Sequence, residues 1–82
     1  MTDAAEFARF STLLAGVFAA KPEDITPATT AHDVDGWDSV THATLIMAIE
    51  DAYGFHFPDE EIFTFQDVGA LFARTMQLAA RQ

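Results

Sequence analysis

The sequence predicts an all-α fold, a small four-helix bundle of three longer helices plus one short helix, with a long loop between helices 1 and 2. Three observations carry this. Apolar residues recur at spacings of three and four in three separate stretches, each stretch opens at an acidic residue suited to capping, and the only alternating run, Phe55-His56-Phe57, is too short for a strand. Asp3-Ala4-Ala5-Glu6 reads as a capping box that opens the first helix, with Phe7, Phe10, Leu14, Val17 and Phe18 on its apolar face and an end near Lys21-Pro22. Residues 22–38 hold two prolines, Thr-rich patches and several acids, with only Ile25 and Val34 as aliphatic anchors, so they predict a loop. A connection of that length in so small a chain is usually functional.

The second helix starts from Asp38 as N-cap and runs to Tyr53 before Gly54, with Leu45, Ile49 and Tyr53 sharing an inward face. Phe55, Phe57 and Pro58 form an aromatic connector, and residues 59–63 suit one or two turns of a minor helix. Thr64-Phe65-Gln66-Asp67 repeats the cap-plus-acid pattern before a last helix that turns Val68, Leu71, Phe72, Thr75 and Leu78 inward. Arg74 and Arg81 fall in its later turns, where cations suit the helix dipole.

A chain of 82 residues buries only about 60% of the surface it exposes when unfolded, so every helix must contribute an apolar face. Half the residues are hydrophobic, eight of them Phe, which suits a compact core and argues against disorder. Thirteen carboxylates against four Lys and Arg give a formal net charge of −9. Such a surface repels nucleic acid and anionic membranes and steers towards basic partner surfaces. The absence of cysteine excludes disulfides and Cys-based metal sites. With no signal-like N-terminus and no stretch of membrane-spanning length, a cytoplasmic protein without membrane insertion is the expectation.

Gly36-Trp37-Asp38-Ser39-Val40 is the most informative segment. An acidic cap beside a serine on the first helical turn leaves that hydroxyl exposed and held in place, which suits an attachment point read by another protein. Ser39 and His42 lie three apart with acids nearby, but a hydrolase also needs an oxyanion hole, a base oriented by a third group and a substrate cleft, for which the chain has little room. No catalytic residue is assigned, and the chain is expected not to be an enzyme. His42 is expected to be a solvated helix residue. Trp37 is expected to pack the loop onto the bundle. Asp33-Val34-Asp35-Gly36 resembles the start of a calcium loop, but glycine stands fourth instead of sixth and the twelfth position is Thr44 rather than a glutamate, so no metal site is assigned.

On these residues the chain resembles the acyl carrier protein family, which includes peptidyl carrier domains. The family pattern Asp-Ser-Leu at the start of the second of four helices stands here as Asp38-Ser39-Val40. Glu50-Asp51-Ala52-Tyr53-Gly54 and Phe57-Pro58-Asp59-Glu60-Glu61 fall where the family has acids before an aromatic and glycine and the lead into its short helix. The resemblance implies one carrier domain over residues 1–82, with 4′-phosphopantetheine carried covalently on Ser39 and installed from coenzyme A by a phosphopantetheinyl transferase. A thioester-linked acyl group would then be presented to loading and condensing enzymes. Asp38 would help place the transferase's Mg²⁺ during loading, with no metal kept afterwards. A monomer is implied, since a carrier must free its docking face for successive partners.

Typical fatty-acid carriers place carboxylates along the exposed face of the second helix, but residues 40–49 contain none, with Thr41, His42 and Thr44 outward and acids returning at Glu50, Asp51 and residues 59–61. The expected docking surface is Val40, Thr41, Met47, Glu50, Glu60 and Ile62, more apolar near the serine than at its far end. These departures point to a free-standing carrier of a specialised biosynthetic pathway such as secondary metabolism, modified lipid synthesis or polysaccharide decoration. The alternatives are an aminoacyl or peptidyl carrier of a nonribosomal pathway and an unmodified helical adaptor that retains the fold.

Overall fold

The computed structural model describes residues 4–80, and among them there are three α-helices, three single-turn 3-10 helices and no strand. Helix α1 spans Ala4–Phe18, α2 spans Ser39–Tyr53 and α3 spans Val68–Ala79, with 3-10 turns at Pro22–Asp24, Ala31–Asp33 and Asp59–Glu61. This is the all-helical architecture that the periodicity predicts, with the last 3-10 turn in the place of the short fourth helix. The expected caps and cations at Asp3 and Arg81 lie outside the described residues.

The core is where the three apolar stripes meet. Phe10 and Leu14 of α1, Leu45 and Ile49 of α2, and Val68, Leu71 and Thr75 of α3 are essentially sealed from solvent. Phe72 packs against Phe10 and Phe7, with ring centroids 5.2 Å and 5.1 Å apart, so aromatic edges join α1 to α3. Tyr53 is only half-buried, and Ile46 takes the fuller inward position beside it in sequence register.

Helix α1 ends three residues earlier than the Lys21-Pro22 boundary predicts. Ala19 turns left-handed at φ 54°, and the Ala20 N–H donates back to the Ala15 carbonyl at 2.9 Å, the six-to-one closure of a helix C-terminus. Pro22 explains the early stop, because it pushes Lys21 into extended backbone, at φ −92° and ψ 131°.

The long connection is bound to the bundle rather than loose. Ile25 and Thr29 are buried, and the Thr29 hydroxyl accepts from the Thr26 N–H at 2.9 Å. The carbonyls of Thr29 and Pro27 then accept from the first two N–H groups of α3, those of Val68 and Gly69, each at 2.8 Å. Those donors have no partner within their own helix, so the loop completes the start of α3 together with Asp67, which accepts from Ala70 N–H at 2.8 Å.

After α2, Gly54 at φ 75° reverses the chain and Phe55 and Phe57 enter the core. The minor helix is shorter than expected, closing after Glu61 and leaving Ile62 and Phe63 in a turn. Arg74 sits mid-helix in α3 rather than in its last turn, and its guanidinium grips the Glu61 carboxylate through two bonds of 2.7 and 2.9 Å. That fork ties the turn to α3, so Arg74 owes its place to a carboxylate partner and not to the helix dipole.

Candidate functional site

Ser39 is the first residue of α2, and it is exposed. Among the described residues its hydroxyl has no hydrogen-bond partner. Asp38 holds it there: Oδ1 accepts from the Val40 and Thr41 N–H groups at 3.0 and 2.9 Å, so two of the donors that the helix start leaves over are satisfied. Thr41 closes the box from the other side. Its Oγ1 accepts from the Asp38 N–H at 2.8 Å and donates to the Gly36 carbonyl at 2.6 Å. The bond from the Thr41 N–H, aided by that from Val40, holds the Asp38 carboxyl below its ordinary value. It is therefore ionised at neutral pH, and its Oδ2 has no partner among the described residues.

Beside the serine opens a cleft of about 340 Å³, walled by Trp37, His42, Phe63, Phe65 and Leu71 with Asp38, Gln66 and Asp67 among its polar lining. Trp37 stacks on Phe18 of α1 at 4.8 Å and so fastens the loop to the bundle, as the sequence predicts. His42 departs from expectation. It is half-buried, not solvated: Nδ1 accepts from the Trp37 indole N–H at 3.0 Å and Nε2 lies 2.6 Å from the Ile62 carbonyl. Both ring nitrogens are thus engaged within the protein, which leaves neither free for a phosphate on Ser39.

The expected docking residues divide. Val40 and Met47 are 74% and 66% exposed, two turns apart on α2, and Glu60 is exposed on the 3-10 turn. Thr41, Glu50 and Ile62 are half-buried. Thr41 is consumed by the cap, and Glu50 is turned inward, where it accepts from the Phe57 N–H at 2.8 Å and pairs with His56 at 3.4 Å. Sequence reasoning missed Phe63, which is 68% exposed and shares a groove of about 380 Å³ with Met47, Ala43 and Ile62. The available signal was weak: Ile62 and Phe63 are adjacent in a tight turn, so both cannot enter the core, but the sequence does not say which stays out. Among the described residues no cluster of acids and histidines is placed to hold a metal ion.

The family model described as a phosphopantetheine attachment site matches residues 8–74, most of the chain and all of this site. The chain belongs to that family. A comparison with curated proteins returned no match. The domain is thus a site of covalent 4′-phosphopantetheine attachment in a carrier protein of acyl or peptidyl carrier type, and carriers of this family meet a phosphopantetheinyl transferase and biosynthetic enzymes. The residues present fit the group, since a free serine hydroxyl on the first turn of a helix faces solvent beside an open cleft, and a helix N-terminus favours a phosphodiester anion. Among the described residues no helix is long and apolar enough to cross a membrane.

Proposed function

We propose that Ser39 is the attachment residue and that the chain carries acyl groups for a specialised biosynthetic pathway, while its partner enzymes do the chemistry. The observation that supports the first part is the exposed Ser39 hydroxyl, without a partner among the described residues, held at the start of α2 by the Asp38 and Thr41 box. When bound, the phosphopantetheine arm supplies a terminal thiol for a thioester and a tether that raises the effective concentration of cargo at each docked partner. Asp38 has two roles in this reading. Oδ1 caps the helix, and Oδ2 is free to approach the transferase's Mg²⁺ during loading.

The docking face supports the second part. Val40, Met47 and Phe63 present apolar surface, acids appear only towards Asp51, Asp59 and Glu60, and residues 40–49 carry no carboxylate. A standard fatty acid synthase ketosynthase, which reads a carboxylate stripe, should therefore exchange poorly with this carrier; efficient elongation by such an enzyme would refute the specialised reading. Thr41, Glu50 and Ile62 support that face from behind, while Val40, Met47 and Glu60 meet the partner.

The deciding experiment is intact-protein mass spectrometry after incubation with coenzyme A and a broad-specificity phosphopantetheinyl transferase. One phosphopantetheine should be added to the protein and none to Ser39→Ala. Loading that persists in the variant overturns the assignment of Ser39, and no loading of the folded protein would favour an unmodified adaptor.

A further inference from the structure

The His42 side chain, on α2, joins its helix to two other segments around Ser39. Its Nδ1 receives the Trp37 indole N–H from the loop that precedes the serine, and its Nε2 meets the Ile62 carbonyl from the turn that follows the last 3-10 helix. Its ring also lies against both neighbours, 6.0 Å from Trp37 and 5.2 Å from Phe63 between centroids. The chemistry of the partners fixes the state of the ring. An indole N–H only donates, so Nδ1 offers a lone pair; a carbonyl only accepts, so Nε2 carries the hydrogen. Neither the doubly protonated ring nor the other neutral tautomer satisfies both contacts.

We infer that His42, held as the neutral Nε2–H tautomer between Trp37 and Ile62, is a positioning residue that locks both walls of the cleft beside Ser39 into the shape the transferase recognises. This rests on the reading of Ser39 as the attachment residue. In loading, Ser39 Oγ forms an ester bond to the pantetheine phosphorus of coenzyme A, the pyrophosphate P–O bond breaks, 3′,5′-ADP leaves, and the hydroxyl proton passes to the transferase. His42 touches none of these atoms in the structure described. It acts earlier, on the loop and turn that frame the serine.

A distinct kinetic signature follows. The Asp38 and Thr41 box fixes Ser39 without help from His42, so a carrier that has docked reacts at the normal rate. Without the bridge, the loop and turn sample other arrangements, and apparent affinity falls by the fraction that remains competent. Loss of two hydrogen bonds, each worth about 1 kcal/mol, corresponds to a rise of up to about thirtyfold in the transferase KM for His42→Ala with kcat unchanged. His42→Gln offers a carbonyl acceptor and an N–H donor in one side chain and should recover most of that loss. Trp37→Phe keeps the stacking on Phe18 but removes the donor, so it should raise KM, and its effect should not add to that of His42→Ala.

The test uses the full chain. The ring nitrogens of His42 are read by two-bond ¹H–¹⁵N NMR at alkaline pH, and the three variants are assayed with coenzyme A and a broad-specificity transferase. Protonated Nε2, a Trp37 indole resonance that moves in His42→Ala, and a KM effect rescued by Gln are the expected results. Protonated Nδ1, an unchanged KM in both His42→Ala and Trp37→Phe, or a loss in kcat alone overturns the inference. Should His42→Ala not fold, Trp37→Phe and the tautomer decide it. Failure of the wild-type chain to load overturns the Ser39 reading instead and removes the positioning role with it, whatever the tautomer.

Discussion

At Ala19 the chain adopts a left-handed backbone, φ 54°, that an L-residue with a Cβ occupies only at a cost of about 1–2 kcal/mol. Glycine removes that clash but is more costly to order from the unfolded state, by roughly 0.5–1 kcal/mol. The difference favours Ala19→Gly, which should stabilise the protein by up to about 1 kcal/mol and raise the thermal midpoint by about 4–8 °C for a chain of this size. A lowered midpoint in calorimetry would show that the entropy of ordering glycine outweighs the strain relieved at this position. Asp38 gives a second prediction at this scale. Its folded-state pKa is depressed by the N–H groups it accepts from, chiefly that of Thr41. Its charge therefore contributes stability in full above the unfolded value, 3.8, and loses it as pH falls through the lower folded value. Asn caps a helix comparably without titrating. Urea denaturation over a pH series should show the wild type losing its advantage over Asp38→Asn as the solution is acidified; an advantage constant down to strong acid would contradict this. The Asp38-Ser39 pair was legible in the sequence because a helix cap is written in adjacent residues. The bond from Trp37 to His42 was not, since it depends on how the loop enters the bundle and helical spacing carries no sign of it.

Between elements, the decisive contact is the docking of the long loop on the start of α3. A Cβ built on Gly69 would lie 2.9 Å from the Pro27 carbonyl oxygen and 3.1 Å from Pro27 Cβ, with backbone on the opposing side that cannot swing aside. Gly69 needs no unusual φ; it is required because another backbone comes this close. Gly69→Ala should therefore force the loop off α3, disturb the bonds from Val68 and Gly69 to Thr29 and Pro27, and cost about 1–3 kcal/mol. Chemical denaturation measures the loss, and accelerated amide exchange at Val68 and Gly69 would place it at this junction. Full stability with unchanged exchange would refute the argument. The helices themselves were readable: all five inward residues assigned to α3 are buried, because a repeat of three and four leaves little choice of face. The loop's role was not readable, because its carbonyls act through tertiary approach. Nor was the partner of Arg74, whose mid-helix position and fork to Glu61 depend on where the short 3-10 turn lands.

Over the whole molecule, two forces bear on partner recognition, and they differ in range. The net charge of −9 attracts basic surfaces at a distance, but at physiological ionic strength it is screened over about 8 Å. The exposed Val40, Met47 and Phe63 act only in contact, where salt screens them little. If α2 docks through its apolar face, Met47→Ala should lower kcat/KM for transferase loading by roughly tenfold, in keeping with about 1.5 kcal/mol for removing a buried apolar side chain from an interface. At 66% exposed, Met47 contributes little to the core, so the variant should melt with the wild type and the loss should be one of binding. Added sodium chloride should slow both proteins in parallel through the association rate, leaving the ratio between them unchanged. A ratio that collapses towards one at high salt would show that the acids at Asp51, Asp59 and Glu60 govern docking, and that the apolar stretch of α2 is bystander surface.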